Sequence, residues 1–105
     1  MLVSTINNQT NFTGAFKIAQ NIKPKTKANF YKVMDDIYLD AKPYDIIVKK
    51  HPENKNFLTI TAQNTKKPSE NYSIWIHSFM ERIPSLRDAV KGTMRGYEEK
   101  FDIFI

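Results

Sequence analysis

The sequence predicts an α+β fold in two layers, with two amphipathic helices packed on one face of a mainly antiparallel sheet. Three observations predict it. Apolar residues recur at helical spacing in two segments, at Phe30, Val33, Met34, Ile37 and Ala41, and at Leu86, Val90, Met94, Tyr97 and Phe101. Apolar and polar residues alternate with period two in several shorter segments. Five prolines (Pro24, Pro43, Pro52, Pro68 and Pro84) fall between those segments, where a lost N–H and a fixed φ are tolerated. The expected element order is ββαβββα.

Residues 2–6 and 12–18 are expected as two short strands, with Phe16 and Ile18 on one face and an Asn-rich turn between the strands. The first eleven residues read equally as a loose tail. Thr26 is placed as the cap of the first helix, which then runs to about Ala41 and stops before "KPYD". "YDIIVKKHPENKNFLTITAQ" reads as a hairpin. Ile46 and Val48 share one face, and Leu58, Ile60 and Ala62 share another opposite Thr59 and Thr61. A further strand covers 71–77, with Tyr72, Ile74 and Ile76 against Ser73, Trp75 and His77. "SFMERIP" offers a helical turn, since Ser78 and Glu81 stand at capping-box spacing. Ser85 and Asp88 repeat that spacing and mark the second helix.

Gly92 and Gly96 interrupt that second helix, and each costs about 1 kcal/mol there relative to alanine. Two structures fit. In one, the helix runs on to about Phe101 and the glycines form a strip without side chains that another backbone could approach. In the other, Gly96 is a left-handed cap and 97–105 is a strand. The continuous helix is favoured, because Tyr97 and Phe101 complete the apolar stripe.

With 105 residues the chain suits a single compact domain, 1–105, with one core. It has no cysteine, which excludes disulfides and thiolate metal sites. It has no apolar run that could span a membrane and no secretory leader, so a cytoplasmic protein is expected. No cofactor loop is present: three glycines in total leave no Walker-type or GxGxxG cradle. No metal set is recognised, since His51 and His77 lie far apart in sequence without ligand spacing. No nucleophile motif occurs either, and the sequence points away from an enzyme. One acid–base trio can be drawn, His77 with Glu81 and Arg82. Any small basic protein offers such a trio, so His77 stands as an isolated catalytic candidate for a small nuclease-like toxin.

Charge is more informative. The net charge is +5, and Lys23, Lys25 and Lys27 cluster at the start of the first helix without an acid nearby. That is the reverse of what the helix dipole favours, and it suits an anion or an acidic surface. Arg87, Lys91 and Arg95 form a second row at four-residue spacing on the second helix. Phe57 and Trp75 are expected as core or cross-strand pairs, and no RNP1-like run supports base stacking. The leading expectation is a small non-enzymatic binding module, an adaptor or inhibitor acting through a protein–protein contact. Nucleic-acid binding through the six basic residues is the alternative, and an unpaired terminal strand would allow a homodimer.

Overall fold

The computed structural model describes residues 14–103. Its elements are β1 (Phe16–Ile18), α1 (Pro24–Met34), one 3₁₀ turn (Leu39–Ala41), β2 (Tyr44–Lys50), β3 (Phe57–Asn64), β4 (Asn71–His77) and α2 (Ile83–Lys100). The class is α+β. The strand expected at 2–6 and the tail reading of 1–11 lie outside the described residues.

The described strands form one sheet in the order β1-β2-β3-β4. β2 pairs β3 antiparallel with Val48 opposite Ile60, and β3 pairs β4 antiparallel with Ile60 opposite Ile74. β1 pairs β2 parallel, with Phe16 opposite Ile46. The sheet is therefore mixed: mainly antiparallel, as expected, with one parallel pairing at β1. The helix between β1 and β2 carries the chain back across the sheet, which a parallel neighbour requires.

Alternation sorts the strands into two faces. Phe16, Ile18, Ile46, Val48, Leu58, Ile60, Ala62, Ile74 and Ile76 belong to the core. It is joined by Phe30 and Val33 of α1 and by Leu86, Val90 and Tyr97 of α2, all buried. α2 lies against β3 and β4, and α1 lies against α2. The Phe30 ring meets Phe16 of β1 at 6.3 Å.

Both helix starts differ from expectation in the same way. α1 begins at Pro24 with Lys23 as its cap residue, and α2 begins at Ile83 with Arg82 as its cap residue. In each case a proline in the first turn sets the start, because its fixed φ already suits a helix and its missing N–H would have been unpaired. Thr26 is thus inside the first turn, where its hydroxyl reaches Glu81 Oε2 at 3.5 Å. The helical turn expected at "SFMERIP" is a single hydrogen-bonded turn, Met80 N–H to His77 O at 3.0 Å, and Glu81 pairs with Lys25 of α1 instead of completing a capping box with Ser78. α1 also ends earlier than the stripe implies, at Met34, and Ile37 follows a turn at 35–36, outside any helix, before the 3₁₀ turn buries Leu39.

α2 is continuous through both glycines. Its end is a Schellman-type cap: Asp102 N–H bonds Glu99 O at 3.3 Å and Ile103 N–H bonds Glu98 O at 2.8 Å. The left-handed residue there is Asp102, with φ 56°. Gly96 has a different role. A Cβ at Gly96 would sit 2.3 Å from the Tyr72 ring, so its hydrogen is what lets β4 approach α2. Gly92 meets nothing within 4 Å. The two glycines therefore do not form one free strip: Gly96 is occupied from within the chain and Gly92 faces open space.

Candidate functional site

The face of the sheet turned away from the core carries Lys17, Asp45, Lys49, Thr59, Thr61, Gln63, Ser73, Trp75 and His77 by strand alternation. The cross-strand row Lys49–Thr59–Trp75 lies across it, with Thr61–Ser73 beside it. Their hydroxyls bond each other, Thr61 Oγ1 to Ser73 Oγ at 2.6 Å, and the Thr59 hydroxyl donates to Lys49 O at 3.3 Å. Together with His51 and Asn71 they line a shallow groove of about 350 Å³.

One end of this face is aromatic. His51 meets Trp75 edge-on at 4.1 Å, Trp75 meets Phe57 at 5.8 Å, and Phe57 meets His77 at 4.6 Å. His77 in turn stacks on Phe79 at 4.6 Å, with planes 16° apart. Such offset and edge-on pairs suit the ring quadrupoles. The row is open to solvent: Trp75 is 59% exposed and Phe79 is 70% exposed. His51 is held in place by its turn, since Nδ1 accepts the backbone N–H groups of Glu53 and Asn54, each at 3.1 Å. Phe57 and Trp75, expected as core or cross-strand pairs, meet instead as diagonal neighbours on the uncovered face, with His77 directly opposite Phe57 and Thr59 directly opposite Trp75.

A basic cleft opens across the rim of the same sheet end. Lys23, Lys50 and Lys55 line it with Thr26, Leu58 and Ser78, around a volume of about 80 Å³. None of the three lysines has an ion pair among the described residues. Lys49 and Lys50 are consecutive, so the strand sends one ammonium to each side of the sheet. Lys23 also lines a wider surface depression with Pro24, Lys27 and Tyr31 at the start of α1. That start has no side-chain cap and no acid in its first turn.

The six basic residues expected as a binding face do not act alike. Lys25 pairs with Glu81 at 3.6 Å, and Arg87 pairs with Asp36 at 3.3 Å. The Lys27 ammonium donates to Gln20 O at 3.4 Å. Lys91 and Arg95 are exposed on α2 without an ion pair among the described residues. The trio of His77, Glu81 and Arg82 is not assembled by any described contact. His77 lies between two aromatic rings, while Glu81 accepts from α1. Among the described residues no three His, Asp or Glu side chains are grouped to hold a metal ion.

At the opposite end of the sheet the polar groups are paired and enclosed. Tyr44 and Tyr97, both buried, stack at 4.6 Å. The Tyr44 hydroxyl bonds the Glu98 carboxylate, which also receives Lys42 Nζ at 3.0 Å. Burial first, and then the Glu98 carboxylate, push the Tyr44 phenol far above its ordinary value. Burial also raises Tyr97, whose oxygen accepts Asn64 Nδ2 at 3.3 Å.

Sequence reasoning missed Phe79 and the lysines Lys49, Lys50 and Lys55. Phe79 lies past the end of β4 and carries no strand phase, whereas the exposure of Trp75 had a signal, since it shares its phase with Ser73 and His77, both polar. The convergence of Lys23 with Lys50 and Lys55 has no local signal, because it joins α1 to a hairpin. Comparison with protein-family models, with curated proteins and with solved structures gave no match. No helix among the described residues is long and apolar enough to cross a membrane.

Proposed function

We propose that this protein is a small non-enzymatic binding module, cytoplasmic in location, that holds another macromolecule against the open face of its sheet. The observation that carries this reading is the solvent-open row His51–Trp75–Phe57–His77–Phe79. Large apolar rings left in water cost hydration free energy and recur at contact surfaces, where they supply most of the binding energy. An adaptor or inhibitor role toward a protein follows the leading sequence expectation, and the exposed rings are the anchors it would use. Nucleic acid is the second partner class, favoured by the cleft lysines at the same sheet end, which have no ion pair among the described residues.

The test is capture by the full chain from cell extract, with bound protein and bound nucleic acid both identified. A single stoichiometric partner is expected on the wild type and is lost from the Trp75→Ala, Phe79→Ala double variant. Equal capture by the two would place the contact elsewhere on the molecule.

A further inference from the structure

Beyond the choice of face, we infer that its occupant is single-stranded nucleic acid, with bases stacked on the aromatic row and the backbone crossing the sheet rim through the lysine cleft. This rests on the open-face reading above and, of its two partner classes, takes the second, which the lysine cleft beside the row favours. Three features converge on that chemistry. The row presents two exposed rings, Trp75 and Phe79, braced by the rings between them, and every base has a π-face to lay on such rings. The cleft is lined by three lysines without a carboxylate, and about 80 Å³ is room for a phosphate group but little more. Lys49 and Lys50 then stand on either side of the rim, one beside Trp75 and one in the cleft, as a phosphodiester passing over that edge requires.

The rest of the groove fits the same ligand. Gln63 presents its amide at the floor beside the mutually bonded Thr61 and Ser73 hydroxyls, whose remaining lone pairs can accept from base edges, while the Asn71 amide nitrogen is held by Pro68 O and Ser69 O. A duplex would keep its bases stacked on each other and out of reach of the rings, so the single strand is selected. Two acids lie near. Glu53 is exposed in the His51 turn, and Glu81 stands behind Thr26, already paired with Lys25. Neither lines the cleft.

Trp75 is the only tryptophan in the chain, so its emission reads the site directly. The experiment is a fluorescence titration of the full chain with short oligo(U) and oligo(dT), with a duplex of matched length, and with polyglutamate as an acidic-protein surrogate. Saturable quenching by the single strands alone is expected. Two neutralised phosphates imply affinity falling about sevenfold for a fourfold rise in salt, from a slope near −0.7 per contact. Lys50→Gln with Lys55→Gln removes one contact and reduces that fall to about threefold. Phe79→Ala weakens binding about tenfold, and its exposure leaves the fold intact, as circular dichroism would check. Equal quenching by duplex or by polyglutamate overturns the inference. So does unchanged emission with every oligonucleotide; if the extract capture still finds a protein that needs Trp75 and Phe79, the open-face reading stands and only its nucleic-acid occupant is lost.

Discussion

The two ends of the sheet use the same residue types for opposite purposes. At one end, Tyr44, Tyr97, Lys42 and Glu98 are aromatic and charged, and each is matched inside the molecule. At the other end, Trp75, His77, Phe79, Lys49, Lys50 and Lys55 are also aromatic and charged. There the rings face water and the ammonium groups have no acid among the described residues. The difference lies in what covers each end. The C-terminal half of α2 lies on the first end, where Gly96 lets the Tyr72 ring come close. Nothing described covers the aromatic row at the second. A matched group stabilises the fold, whereas an unmatched one is free to hold a ligand.

Substitutions at the two ends should separate those roles. Glu98→Ala strips the buried Tyr44 hydroxyl and Lys42 of their shared partner, and should cost about 2–3 kcal/mol of unfolding free energy, measured by urea titration. Alkaline pH attacks the same end. Tyr44 and Tyr97 have folded values raised above their unfolded value of 10.0. Their contribution is therefore complete below pH 10 and is lost as pH rises beyond it. Each tyrosine should lower stability by up to about 1.4 kcal/mol per pH unit in that range. Urea midpoints measured between pH 9 and 11 should fall in the wild type and fall less steeply in Tyr44→Phe, where Tyr97 still contributes.

The glycines give a pair of opposite sign. Gly96→Ala drives a Cβ into the Tyr72 ring and should destabilise by about 1–2 kcal/mol. Gly92→Ala has open space and should stabilise by about 0.5–1 kcal/mol through helix propensity. Thermal midpoints moving in the same direction would break the contrast. Asp102→Gly should add about 0.5–1 kcal/mol, because glycine adopts the left-handed cap without steric penalty. The smallest stability change should come from the open end: Phe79→Ala should stay within about 0.5 kcal/mol of wild type while altering binding.

How much of this was legible in the sequence follows the range of each cause. The hairpin of β2 and β3, the strand β4 and the unbroken α2 are written in local periodicity, so they can be read from neighbours alone. The parallel placement of β1 depends on a partner about thirty residues away, opposite Ile46. The helix starts were misplaced because Thr26 and Ser85 carry good capping chemistry, yet Pro24 and Pro84 fix the first turn before them. The candidate site was half visible. Lys23 was singled out for charge and does line the cleft, but Lys50 and Lys55 come from another element. Trp75 carried a period-two signal toward the polar face, outweighed by the usual preference of tryptophan for burial.

The division between a structural end and a binding end is tested most directly by backbone and indole amide shifts of the labelled full chain, recorded as short oligo(U) is added. The expected result is a continuous set of shifts at 49–57, Thr61, Ser73, 75–79 and Lys23, with Tyr44, Asn64, Tyr97 and Glu98 unmoved. Shifts centred on Arg87, Lys91 and Arg95, or at the Tyr44–Tyr97 end, would contradict it, as would a spectrum that oligo(U) leaves unchanged.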